Sequence, residues 1–345
     1  MNEIATLGIT REYFDEHGNL TMPGPGLKLL DEMPDLEYRV FDQSLPEITP
    51  AQIHGCDMVI SAGARWTTHS LEGNGQLIAL LYTGVGYDHI DVEALTNAGS
   101  LFCFAPDAVR RPMACTIITF ILALAMRLLA KDRITRQGLW TEQNDYRGEG
   151  LTGKTLGSIG VGNIGREVFV LAQPFGMRHL GCDPYIDQAS VSDVGVKLVD
   201  MDTLLAESDF VTISVPLSQA THHLVGEEEL RKMKASAYLI NTSRGPTVDE
   251  RALIRALSEK WIQGAGIDVF EQEPVDPENP LLKMDNVVVA PHALGHTDEY
   301  YQLAWEDKVS QATQILRGEI PNSVVNTEVL ENEAFKAKFK RFQNT

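Results

Sequence analysis

Over the first hundred residues, short apolar runs recur at intervals, each closed by a polar, turn-rich piece: "ATLGIT", "EYRVF", "CDMVISAG", "LIALLYTGVG" and "SLFCFA". Runs this short, bounded by turn-rich pieces, read as strands. Stretches 26–32 and 91–98 fit helices between them, so residues 1–112 are predicted to form a small α/β unit. The longest uncharged stretch, "MACTIITFILALAM" at 113–126, falls short of the roughly 18 apolar residues of a membrane span and reads as a core helix.

A second series follows: "TLGSIGV", "RHLGCD", "FVTISVP", "AYLINTS", "GAGIDVF" and "NVVVAP". Helical patterns separate these runs. Ile164, Val168, Leu171, Ala172 and Phe175 share one helical face, and "TVDERALIRAL" is predicted to open with a capping box formed by Thr247 and Glu250. Strands alternating with helices imply a parallel, doubly wound α/β sheet over 113–297. A last amphipathic stretch, "DEYYQLAWEDKVSQATQILRG", ends at Gly318, and the tail beyond it has the first unit as its available packing partner.

Composition narrows the function classes. Hydrophobic content of 43% with 22% charged residues is that of an ordinary globular chain. A formal net charge of −19 argues against a nucleic-acid or anionic-membrane surface, which needs an excess of Lys and Arg. Cys56, Cys103, Cys115 and Cys182 show neither a CxxC pair nor zinc spacing, and "MNEIATLGIT" lacks a basic stretch followed by a long apolar one. Both features lead to the expectation of a cytoplasmic protein. His222 and His223 are adjacent with no third ligand at a suggestive spacing, so no metal site is expected.

Two features carry chemistry. "GVGNIG", residues 160–165, matches GxGxxG between a strand and a helix. There Gly160, Gly162, Asn163 and Ile164 would present backbone N–H groups and a helix N-terminus to a pyrophosphate. The next apolar run ends at Asp183, where an acidic side chain accepts from ribose hydroxyls and repels a 2′-phosphate; no arginine follows at once, which favours NAD over NADP. Three further strands end in His292, Arg244 and the acidic "DVFEQEP". Such strand ends face the ligand crevice of a doubly wound sheet. Hydride transfer from an alcohol needs a group that takes the hydroxyl proton, and histidine suits that task. A carboxylate from Glu273 or Glu271 would fix its tautomer, and the Arg244 guanidinium would clamp a substrate carboxylate and polarise the neighbouring carbonyl.

Read in chain order, "GVGYDHID", "LTGKTLGSIGVGNIGREV", "INTSRGPTVDERAL", "GAGIDVFEQEP" and "PHALGHT" resemble the successive signatures of the NAD-dependent D-2-hydroxyacid dehydrogenases, a family that includes glyoxylate and hydroxypyruvate reductases and phosphoglycerate dehydrogenase. The resemblance runs from about Gly84 to "VVNTEVL" and implies that Arg244, Glu273 and His292 are the catalytic set, with Glu273 pairing the histidine. It also implies Asp268 near the nicotinamide amide, Pro216 where the chain turns over the cofactor, and backbone N–H groups of Val85 and Gly86 on the substrate carboxylate. In that family a Rossmann domain is inserted into a smaller flavodoxin-like substrate domain, here 113–297 within 1–112 and 298–345. A homodimer through the helix from Met113 onward and the segment around Trp140 is implied as well.

Cys115, the pair Arg110 and Arg111, and His296 depart from the family's usual pattern and bear on the substrate, a small 2-hydroxy or 2-keto acid whose side chain the motifs leave open. Arg65 and Trp66 follow a strand of the first unit and are further candidates to reach the substrate, while His89 reads as a structural hydrogen-bonder. Two other readings of the scaffold are a formate- or phosphite-type dehydrogenase, disfavoured by Glu273, and a non-catalytic NAD-sensing protein, disfavoured by the absence of extra interaction segments.

Overall fold

The computed structural model describes residues 4–343. Contacts divide the chain into two compact units, one made of the residues up to Val109 and from Thr297 onward, the other of Arg110–His296. The boundary falls inside a helix, Pro106–Ala125, which begins before Pro112 and not at 113 as the apolar run predicts. Pro106 followed by Asp107 makes a favourable helix start, since proline has no N–H to leave unpaired and an acid suits the first turn. Pro112 is the seventh residue of this helix and has no N–H to donate to Ala108 O. This is the one helix among the described residues long and apolar enough to cross a membrane, and 61% of its apolar window is buried within the protein.

The first unit holds five parallel strands, β1 (Ala5–Ile9), β2 (Leu36–Val40), β3 (Met58–Ser61), β4 (Ala79–Tyr82) and β5 (Leu101–Cys103), in the order β2-β1-β3-β4-β5. Successive side chains of a strand point to opposite faces. Met58, Ile60, Ala79 and Leu81 therefore enter one apolar layer, and Val59, Leu80 and Tyr82 the other. Trp305, Ala312 and Ile315 of the helix Asp298–Leu316 join the first layer, together with Phe335, Phe339 and Phe342 of the helix Glu333–Gln343. The C-terminal tail thus packs on the first sheet, as the sequence leads one to expect. Three buried phenylalanines contribute roughly 1.5–3 kcal/mol each to holding it there.

The second unit holds seven parallel strands: β6 (Thr155–Ile159), β7 (Arg178–Cys182), β8 (Val196–Leu198), β9 (Phe210–Ile213), β10 (Tyr238–Asn241), β11 (Gly264–Ile267) and β12 (Val287–Val289). Their order, β12-β11-β10-β9-β6-β7-β8, reverses direction between β6 and β9, the place where doubly wound sheets take dinucleotides. Strand β8 escapes the hydrophobic pattern because it is three residues long, contains Lys197 and pairs only with β7 at the sheet edge. The expected capping box is also replaced. Thr247 closes a short 3-10 turn, and the helix Glu250–Ser258 is capped by Asp249, whose carboxylate accepts from Ala252 N at 3.0 Å. The Thr247 hydroxyl is engaged elsewhere, donating to Arg244 O at 2.7 Å.

Candidate active site

The turn after β6 requires glycine. Gly160 has φ of 86°, and a Cβ there would stand 2.4 Å from Ser214 O on the chain after β9. At Gly162, by contrast, a Cβ would meet nothing within 4 Å. Gly162 is also the N-cap of the helix Asn163–Ala172 and brings no capping side chain to its first turn. Asp183 stands at the end of β7 beside this turn, its Oδ2 accepting from Val161 N at 2.9 Å and its Oδ1 from Tyr185 N at 2.9 Å. Open room at Gly162, a helix N-terminus without a capping side chain and a fixed carboxylate together fit a dinucleotide with an unphosphorylated ribose.

Arg244 follows β10 in a turn tied down from several sides. Asn241, 1% exposed, donates through Nδ2 to Arg244 O at 3.0 Å, while its Oδ1 accepts from Ser243 N at 3.1 Å and Ser243 Oγ at 2.9 Å. Gly245 lets this turn lie against the chain after β11, since a Cβ would fall 1.9 Å from both C and O of Phe270. The close approach brings the Arg244 loop beside the loop that carries Glu271 and Glu273.

Glu273 divides its oxygens. Oε1 accepts from Phe270 N at 3.0 Å, and Oε2 lies 2.8 Å from His292 Nδ1. Burial pushes this carboxyl up, but hydrogen bonds from His292 and Phe270 N and the charges of His292 and Arg244 outweigh it, so it sits below the usual glutamate range. His292 follows β12 with φ of 54°, a left-handed conformation that costs energy for a non-glycine residue and is found at sites whose surroundings fix it. Asp268 supplies that constraint. Its backbone O accepts from His292 N at 2.7 Å, and its 1%-exposed carboxylate accepts from Ala293 N at 3.2 Å and Leu294 N at 3.4 Å. Burial raises the Asp268 carboxyl above its ordinary value against the pull of those N–H groups and of His292 and His296. The carboxylate expected near a nicotinamide amide therefore braces the histidine loop.

The alternative between Glu271 and Glu273 resolves in favour of Glu273. Glu271 pairs with His223 instead, Oε1 to Nε2 at 2.7 Å, and also accepts from Glu250 N at 3.2 Å. Pro216 lies on the segment after β9, its O accepting from Thr221 Oγ1 at 2.6 Å. Arg111 donates to Glu167 at 2.7 Å on the helix that opens at the glycine turn, and Cys115 is exposed. Burial and the charge of His292 lower the proton affinity of His296. Val85 and Gly86 belong to the other unit, on the loop after β4, where Tyr82 donates to Gly86 O at 3.0 Å. Trp66 is buried there, its Nε1 donating to Ser61 Oγ at 3.2 Å, and the His89 ring packs against Tyr82. Asn241, Ser243 and Thr247 were not singled out in the sequence as site builders. The signal for them was the run of small polar residues directly after a buried strand.

Residues 118–293 match the family model described as D-isomer specific 2-hydroxyacid dehydrogenase, NAD binding domain. A glyoxylate reductase of Korarchaeum cryptofilum is 38% identical over 316 residues, covering 90% of this chain and 95% of that one. A D-3-phosphoglycerate dehydrogenase of Methanocaldococcus jannaschii is 36% identical over 311 residues, 89% of this chain and 58% of that one. Among solved structures, the D-lactate dehydrogenase of Aquifex aeolicus in complex with NAD and lactic acid superposes with a TM-score of 0.80 at 25% identity, covering 92% of this chain and 98% of that one.

Proposed function

The chain belongs to the D-isomer specific 2-hydroxyacid dehydrogenase family, and on that premise we propose which of its residues carry the reaction and which substrate they serve. It is an NAD-dependent oxidoreductase that interconverts a D-2-hydroxy acid and its 2-keto acid. The residue roles rest on one observation above all: His292 meets Glu273 through Nδ1 at 2.8 Å, with the charge of Arg244 acting on the same carboxylate. Engaging Nδ1 leaves Nε2, at the tip of the ring, for a substrate oxygen, the arrangement in which a carboxylate orients an imidazole acid/base.

When bound, the nicotinamide cofactor supplies or accepts the hydride at the carbon bearing the oxygen. His292, as imidazolium, gives its Nε2 proton to the forming alkoxide in reduction and takes it back in oxidation. Glu273 holds the ring tautomer and stabilises the imidazolium. Arg244 clamps the substrate carboxylate and draws charge onto the carbonyl oxygen, and backbone N–H groups of Val85 and Gly86 complete the hold on the carboxylate. Asp268 positions the His292 loop through its carboxylate hydrogen bonds. The first unit is assigned as the substrate domain and the second as the dinucleotide-binding domain, with Gly160, Gly162, Asn163, Ile164, Asp183 and Pro216 facing the cofactor.

Glyoxylate is the first substrate to test, because the Korarchaeum relative is named for it. NADH oxidation by glyoxylate and hydroxypyruvate, abolished in His292→Ala, would support this reading; no turnover across 2-keto acids despite NADH binding would sink it. We propose a homodimer as well, supported by apolar exposure around the helix Leu128–Arg136, where Leu128 is 56%, Leu129 53% and Trp140 70% exposed. Light scattering on the purified protein decides it. A cytoplasmic location fits the four free cysteines.

A further inference from the structure

In the first unit, the chain leaving β1 turns back over the end of β3. Thr10 N donates to Ile60 O at 3.1 Å, and the short turn Arg11–Tyr13 follows. Glu12 of this turn places one oxygen, Oε1, on three donors: Thr10 Oγ1 at 2.9 Å, Ala62 N at 2.7 Å and Gly63 N at 2.7 Å. Two successive backbone N–H groups converging on one oxygen make an anion nest. The nest lies between the carboxyl ends of β1 and β3, which is the topological switch point of the order β2-β1-β3-β4-β5 and so the crevice where such a sheet takes a ligand. The protein thus puts its own carboxylate into the anion position of this sheet.

That carboxylate is fixed by hydrogen bonds. Among the described residues no ion pair engages Glu12, and the neighbouring Arg11 guanidinium turns away to Asp15 O at 2.6 Å. Tyr13, 1% exposed, contacts the Thr83 hydroxyl, and Thr83 N donates to Ser61 O at 3.1 Å. The Glu12 turn is therefore anchored to the residue that precedes Gly84-Val85-Gly86, the loop proposed to hold the substrate carboxylate. In the strand order β1 and β4 flank β3, so at the usual spacing of about 4.8 Å their backbones are roughly 10 Å apart along the sheet edge that carries both Glu12 and that loop.

We propose that Glu12 is a substrate-selecting residue: by filling the nest with a negative charge it turns away 2-keto acids that carry a second anionic group and admits those with a neutral tail. The proposal rests on the 2-keto acid reading above. A like charge brought within about 10 Å of Glu12 in a partly screened site costs enough to give about tenfold discrimination or more, and the nest itself is already filled by Glu12 Oε1.

The test is kcat/KM with NADH for pairs of substrates differing in tail charge, 2-oxobutyrate against oxaloacetate and hydroxypyruvate against 3-phosphohydroxypyruvate, in wild type, Glu12→Gln and Glu12→Ala. Gln keeps an oxygen for all three donors and removes only the charge, so a purely structural role for Glu12 would leave its ratios unchanged. The expected result for Glu12→Gln is a rise of about tenfold or more in the ratio of the substrate with a charged tail to its partner with a neutral tail, shrinking as salt is added, with neutral-tail values within about threefold of wild type. An unchanged ratio in Glu12→Gln, with wild type active, overturns the selection role alone. A wild type that turns over none of the four acids brings down the functional reading and this inference with it.

Discussion

The second unit contains two acid–histidine pairs that look alike at first sight. Glu271 meets His223 at 2.7 Å and Glu273 meets His292 at 2.8 Å; both carboxylates come from the loop after β11. Both histidines have left-handed backbones, φ of 52° and 54°, and their side chains are similarly open to solvent, 39% and 44% exposed. The difference lies in which nitrogen is engaged and what surrounds the pair. His223 is bound through Nε2, the tip of its ring, and stacks on His222 at 4.0 Å. Its Glu271 also accepts from Glu250 N, so the pair ties the loop after β11 to a helix start. His292 is bound through Nδ1, so Glu273 leaves the tip of its ring alone, and Arg244 stands by its acid. A carboxylate–imidazole contact is therefore not by itself the mark of an acid/base. On the proposed reading, the nitrogen left at the tip of the ring and the cation nearby are what separate a proton-transfer pair from a staple.

The sharpest way to break this contrast is to remove each histidine in turn. His292→Ala is expected to lower kcat/KM for glyoxylate about a thousandfold, as loss of a general acid does, and His223→Ala to lower it less than about threefold. Steady-state NADH oxidation reads both. Arg244→Gln comes next, with an expected loss of about a hundredfold shared between KM and kcat, since it removes both the carboxylate clamp and the carbonyl polariser.

Gly245→Ala affects both pairs at once, because a Cβ 1.9 Å from the Phe270 carbonyl forces the two loops apart. Chemical denaturation should show a loss of about 1–3 kcal/mol, accompanied by falling activity. Glu271→Gln, by contrast, weakens an exposed staple and should cost less than about 1 kcal/mol with kcat preserved.

The smallest expected effect is the acid response of Glu273. Its folded carboxyl lies below the ordinary glutamate range, so the stability it adds is present above that range and is lost as pH falls through the folded value. Acid unfolding of Glu273→Gln should lack that component.

Much of this was legible in the sequence. The apolar runs marked every strand except β8: most strands are buried on both faces and have little choice of side chain, and the edge strands β2 and β12 still carry apolar residues, whereas β8 is three residues long with a lysine in its middle. His292, Glu273 and Arg244 stood out because polar residues at the ends of buried strands are conspicuous. What stayed hidden depends on approach between segments distant in the chain: Gly245 against Phe270, the Asp268 carboxylate under the histidine loop, and Glu12 in the nest of β3. The capping box failed for the same reason, since Thr247 is drawn to the Arg244 carbonyl, leaving the cap to Asp249. Local spacing predicts which groups can meet, and tertiary packing decides which of them do.

The most direct test of the account is the pH dependence of kcat/KM for glyoxylate reduction in wild type, Glu273→Gln and Glu271→Gln, measured side by side. On the proposed reading the alkoxide formed in reduction takes its proton from His292, so reduction slows toward high pH. Removing the negative charge of Glu273 takes away the anion that stabilises the imidazolium. The account predicts that the falling limb moves to lower pH in Glu273→Gln and stays in place in Glu271→Gln. A limb that moved equally in both variants, or in neither, would contradict the assignment of His292 and Glu273 as the proton-transfer pair.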